Sequence, residues 1–122
     1  MDSEQRKRGS EIFEEVMGFP APQIEEPFFD ATLEHLFPNV WGRGGLSRRE
    51  RRLITLTVIA SLGHEPTLRL HMRAATTSGD LSEDDIDEFA LHLAHYAGWP
   101  VGAVASGVAR KLRAEREQQE SG

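Results

Sequence analysis

The chain has 122 residues, 39% of them apolar, enough for one modest core and too few for two independent ones. Acidic residues outnumber basic ones by 20 to 14, for a formal net charge of -6, and the arginines are scattered or set beside acids, so a nucleic-acid surface has little support. Cysteine is absent, which closes disulfides, thiolate metal sites and Cys-x-x-Cys redox chemistry, and no apolar run approaches the roughly 20 residues that span a bilayer. Met1 to Arg8 holds no apolar signal region, so a cytoplasmic protein without a membrane or nucleic-acid partner is expected.

No strand-like alternation is sustained anywhere, and the punctuation is that of helices, so the fold class is all-α, with about six helices in one domain over residues 1–122. A first helix is expected from Ser3 to Met17, ending at Gly18, followed by an extended arm dictated by Pro20, Pro22 and Pro27. From about Pro27 to Leu36 a second helix presents Phe28, Phe29, Leu33 and Leu36 and stops near Pro38. Its apolar side, with Phe37, is more than a small monomer readily buries, which points to self-association. Asn39 to Gly45 reads as a loop whose glycines place Trp41 and Arg43 against other elements.

Ser47 and Glu50 form a capping box that opens a third helix, apolar on most sides and so expected to be central, terminated by Gly63. A fourth helix begins near Pro66 and runs to Gly79, making a hairpin with the third. Ser82 to Asp85 opens a fifth, with a core stripe of Ile86, Phe89, Ala90, Leu93, Ala94 and Ala97, closed by Gly98. Pro100 then stands early in a sixth helix, and its charged end, 113–122, is expected to fray.

Most of the chemistry lies between Leu46 and Pro100, where four of the five histidines and the only tyrosine fall. His92 shares a helical face with His95, Tyr96 and Trp99 at spacings of three, four and seven, so the group either walls a pocket or fills a core with one histidine in solvent. His71 follows His64 by seven residues and lies on the same side only if the helix starts early enough. His64 itself suits an exposed turn equally well. By itself His71 reads slightly better as a core histidine bonded to a carbonyl. Arg43 is suited either to a bidentate grip on a carboxylate or to an ion pair at a surface or subunit boundary. The acids Asp84, Asp85, Asp87 and Glu88 read as a solvated helix start, and with no His-x-x-x-His or Glu-x-x-His pattern no catalytic metal is expected.

Four segments, Trp41-Gly42-Arg43-Gly44-Gly45-Leu46, Arg48 to Leu53, His71-Met72-Arg73-Ala74-Ala75 and Tyr96-Ala97-Gly98-Trp99-Pro100, together resemble the carboxymuconolactone decarboxylase family, within the superfamily of alkylhydroperoxidase D-like proteins. The resemblance covers about Phe37 to Ala109. It implies a small helical protein assembling as trimers or hexamers and a decarboxylase, a carbon-carbon lyase that works without cofactor on a small lactone or enolizable acid in aromatic catabolism. His71 is then the leading catalytic residue, with His64 and His95 beside it, and Arg43, Trp41, Tyr96, Trp99 and His92 bind substrate. An ordinary histidine pKa of about 6.5 suits His71 to donate a proton. The chain departs from the family's Trp-Ser-Arg-Pro-Gly-Leu at Gly42 and Gly44, and carries Arg52 where a glutamate is frequent. The peroxidase branch needs a Cys-x-x-Cys near His64 to Thr67, which is missing. A non-catalytic binding or assembly protein, or a related lyase or isomerase, is the alternative, favoured by the departures at Gly44 and Arg52.

Overall fold

The computed structural model describes residues 3–121, so Met1, Asp2 and Gly122, at the ends of the expected arm and tail, lie outside the described part. Every regular element among those residues is helical, and the contacts divide the chain between Arg51 and Arg52 into two compact units.

In the first unit, α1 (Glu4–Met17) begins where the Ser3 hydroxyl accepts the Arg6 amide at 3.0 Å and ends at Gly18, whose φ of 82° a side chain would resist. Ile12, Phe13 and Val16 on α1 pack with Leu33, Phe37 and Trp41. After the proline arm, Pro27 occupies the first position of α2 (Pro27–Ala31), where its missing N–H costs nothing. The expected stop near Pro38 does not occur. The chain instead widens into a π-helix over Thr32–Trp41 that carries Pro38 inside it and Trp41 at its end, so Trp41 belongs to a helix rather than a loop. In a π-helix the donor for each carbonyl lies five residues on, so Pro38 removes the donor for Leu33, and Gly9 of α1 lies against that same carbonyl. Leu33 and Phe37 are buried, whereas Phe28 is exposed and Leu36 partly so, which splits the apolar face expected of this segment. Arg6, nearly buried, donates to Asp30 at 2.7 Å and to the Ile24 carbonyl at 2.9 Å, tying α1 to the arm and to α2.

The helix α3 (Arg48–Leu62) opens on the expected capping box, Ser47 Oγ accepting from the Glu50 amide at 3.1 Å and Glu50 from the Ser47 amide at 2.7 Å. These bonds hold the Glu50 carboxyl below its ordinary pKa. Residues of α3 in the second unit sort onto two sides. Arg52, Leu56 and Ala60 are buried, while Ile54, Val58 and Leu62, four apart, form an exposed apolar row, so α3 is not the enclosed central helix expected.

Three further helices complete this unit, α4 (Glu65–Thr77), α5 (Glu83–Ala97) and α6 (Trp99–Ser121). Leu56, Leu68, Met72, Leu81, Ile86, Phe89, Leu93 and Val108 share one core. The closest backbone packing is α5 against α6, with α4 also on α6, rather than the α3 and α4 hairpin expected. Gly102 makes this approach possible: a Cβ there would stand 2.4 Å from the Ala94 Cβ. Ser82 and Asp85 exchange capping bonds of 3.0 and 2.9 Å at the start of α5, and its stripe is buried from Ile86 to Ala94, but Ala97 is exposed. Nor does the tail fray where fraying was expected. The last turns of α6 remain helical because Arg113 donates to Asp87 at 3.1 Å and Arg116 to Glu83 at 3.0 Å, with Arg116 also paired to Glu120. No helix of the described residues is long and apolar enough to cross a membrane.

Three alanine substitutions test this packing. At Gly9 a Cβ would sit 1.6 Å from the Leu33 carbonyl oxygen, and at Gly102 2.4 Å from Ala94, whereas at Gly44 nothing lies within 4 Å. Thermal unfolding should show Gly9→Ala and Gly102→Ala destabilised by about 2 kcal/mol or more, with Gly44→Ala within about 0.5 kcal/mol of the parent.

Candidate active site

The second unit holds six of the eight candidate residues. Its α4 begins at Glu65 because Pro66 fits the first turn, which leaves His64 as the N-cap, exposed and with no side-chain capping bond. The early start that would align His64 with His71 is therefore missing, and the two are set apart by environment. His71 is half-buried, beside Leu68, Met72 and Ala75, which form the buried stripe of α4. Burial, and secondarily the positive charge of Arg52, lower its pKa to about 4. At neutral pH it is a neutral imidazole, so the proton-donating imidazolium anticipated from an ordinary pKa is not the form present.

Arg52 is the residue whose importance the sequence did not reveal. Its side chain is 1% exposed, its Nε donates to Asp80 at 3.0 Å, and an Nη reaches Ser78 Oγ at 3.4 Å. The Ser78 hydroxyl in turn donates to the Ala75 carbonyl at 3.1 Å and accepts the Asp80 amide at 3.3 Å. The turn after α4 thus forms a cradle for the guanidinium, 28 residues from Arg52 in the chain. Only the departure from a frequent glutamate marked this position in the sequence, and no spacing links it to Asp80.

His92, His95 and Tyr96 lie on α5 as their spacing requires, but the helix breaks at Gly98 and Trp99 opens α6, so the single helical face expected of the four is interrupted, and all four residues are exposed. The His92 and Tyr96 rings stack with centroids 5.1 Å apart, and His95 meets Trp99 edge-on at 5.7 Å. His95 Nδ1 donates to the Leu91 carbonyl at 2.8 Å, which fixes its proton there. Tyr96 is 85% exposed. Within this unit the four rings form two exposed pairs rather than the wall of a pocket.

Trp41 and Arg43 belong to the first unit. Trp41 is buried, stacked on Phe37 with centroids 6.4 Å apart, so it serves that unit's core rather than offering a face to substrate. Arg43 follows in the glycine-rich loop, its side chain exposed and its carbonyl accepting from Arg51 at 3.3 Å. Among the described residues no three or more His, Cys, Asp or Glu side chains gather where they could hold a metal ion.

The sequence profile of the carboxymuconolactone decarboxylase family matches residues 26–111. The chain belongs to this family. It is 35% identical to a 4-carboxymuconolactone decarboxylase of Acinetobacter baylyi, over 92% of this chain and 90% of that protein. It is also 36% identical to a nitrosuccinic acid decarboxylase of Metarhizium robertsii, over 75% of this chain and 63% of that protein. The two relatives differ in the acid they decarboxylate, and this carboxymuconolactone decarboxylase family member carries buried Arg52 close enough to His71 to act on its charge.

The lowered pKa has a stability consequence. An unfolded histidine binds a proton below about pH 6.5, whereas folded His71 resists it until about pH 4, so the unfolded state binds more protons between those values. Stability should therefore fall as pH drops through this window, by about 2–3 kcal/mol from this residue, and level off below it. Denaturant unfolding at pH 7 and pH 4.5 should show a loss in the parent that is smaller by that amount in His71→Asn.

Proposed function

We propose that the protein is a carboxy-lyase acting on a small lactone or enolizable carboxylic acid, with His71 working as a neutral imidazole and no bound cofactor acting as electron sink. The observation that carries this reading is a half-buried, neutral His71 beside a buried cation, in a chain whose relatives are decarboxylases.

The two relatives' substrates share one chemical feature: the electron pair released with carbon dioxide can be taken up by oxygen, in a lactone enolate or in a nitronate. In such a reaction the bond between the carboxylate and its carbon breaks, carbon dioxide leaves, and the pair moves onto the acceptor oxygen. The carbon then takes a proton from solvent. An imidazolium would lose its own proton to such an anion only by becoming what His71 already is. A neutral imidazole instead offers one N–H as a hydrogen bond to the developing oxyanion, with no proton to replace between turnovers. The buried guanidinium of Arg52 adds a fixed positive potential that favours negative charge nearby.

The exposed row of Ile54, Val58 and Leu62 and the exposed ring pairs ending in Trp99 suit burial against a second copy of the chain. Self-association is proposed on that ground, with the trimer or hexamer that the family resemblance implies, and with His71 shielded from water more fully in the assembly than in one chain.

Carboxymuconolactone is the first substrate to offer. Loss of its absorbance with stoichiometric carbon dioxide release is expected from the parent protein, and His71→Asn should lower kcat by about 10²-fold or more at unchanged Tm. Equal turnover by the two proteins would remove His71 from the reaction.

A further inference from the structure

A second feature of the same unit lies outside the His71 region. A cavity of about 320 Å³ opens between the later half of α4, the start of α5 and the last turns of α6, and His71 is not among its lining residues. Its floor is apolar: Met72, Leu81 and Ile86, all at most 2% exposed, with Ala109 and Leu112 beside them. The volume is at the lower end of small-molecule sites.

Five charged side chains border this floor, and four of them are committed. Glu83 is paired with Arg113 and Arg116, Arg113 also with Asp87, and Glu115 with Arg69 at 2.6 Å. Arg73 makes no ion pair within 4 Å among the described residues, although its charge acts on Glu115, so it is the guanidinium at the mouth whose donors are not taken up by a carboxylate. The hydroxyls add direction. Thr76 and Thr77 spend their hydrogens on the Arg73 carbonyl, at 3.0 Å each, whereas Ser82 Oγ accepts the Asp85 amide and keeps its own hydrogen to give. An apolar floor excludes a heavily hydrated polyanion, and the neighbouring Glu83 and Glu115 oppose a second negative charge.

We propose that this cavity is a binding site for a small amphipathic monocarboxylate, its apolar body on Met72, Leu81 and Ile86 and its carboxylate on Arg73 with help from the Ser82 hydroxyl. The site is separate from His71 and does not depend on the decarboxylase reading. A ligand of about ten non-hydrogen atoms fills such a space, with one charge-assisted contact and no polar group left stranded.

Benzoate is a suitable probe, with benzamide as its uncharged counterpart. Benzoate should shift the methyl NMR signals of Met72, Leu81 and Ile86 with a Kd in the millimolar range or tighter, and benzamide should bind about tenfold or more weakly. Arg73→Gln, an exposed substitution, should keep the parent's Tm and lose about tenfold in benzoate affinity. His71→Asn should bind benzoate as the parent does, so loss of catalysis and loss of this site are read separately. Methyl signals that ignore benzoate at about 10 mM overturn the proposal, whether the cavity is unsuited or a second copy covers it. It is overturned equally by benzamide binding as well as benzoate, by unchanged affinity in Arg73→Gln, or by shifts around His71 that leave the Leu81 and Ile86 methyl signals unmoved.

Discussion

A guanidinium with 1% of its surface in contact with solvent must be held by its surroundings or the fold does not form, and Arg52 is in that position. Its partners come from one short turn, Ser78 to Asp80, which is itself knotted by the Ser78 hydroxyl. The pair fixes where α3 enters the second unit relative to the end of α4, and through α4 it fixes His71. Removing either partner of such a pair costs about 3–5 kcal/mol when the remaining charge stays buried, less here because Asp80 keeps 24% of its side chain exposed. Position of the turn, burial of the imidazole and sign of the local field therefore rest on one interaction.

That arrangement gives the departure from the family's frequent glutamate a physical meaning. A carboxylate at position 52 would favour a protonated His71, whereas the arginine here opposes it, in the same direction as burial. On the proposed reading, the difference bears on which form of the histidine meets the substrate, and the lowered pKa favours oxyanion stabilisation by a neutral N–H and a fixed cation over proton donation by an imidazolium near pH 7.

Elements governed by neighbours along the chain were legible in the sequence. Both capping boxes, the stop at Gly18 and the place of Pro27 and Pro66 in first turns depend on residues within one turn of each other, and the structure has them where the sequence puts them. The buried stripe of α5 was equally visible through its period. Features set by distant partners were not. Nothing near Arg6 announces Asp30, and nothing near Arg52 announces Asp80. Pro38 read as a helix stop because an α-helix has no room for it, while in the π-helix it withholds a donor from the Leu33 carbonyl, against which Gly9 of a distant helix packs. The end of α6 read as a fraying charged tail because its partners, Glu83 and Asp87, begin another helix. Among the candidate site residues, His92, His95 and Tyr96 lie on one helix as their spacing requires, but Trp99 begins the next helix beyond the break at Gly98, and periodicity does not say whether a face looks inward or out.

The protonation state of His71 is the point on which the chemistry turns. Following the ring carbon resonance of a selectively labelled His71 by NMR from pH 8 to pH 3.5, beside an unstructured histidine peptide as reference, measures it directly. His71 should remain neutral through the range in which the peptide titrates and take up its proton only near pH 4. Titration of His71 together with the peptide, at about pH 6.5, would contradict the neutral-imidazole mechanism and restore a proton-donating histidine.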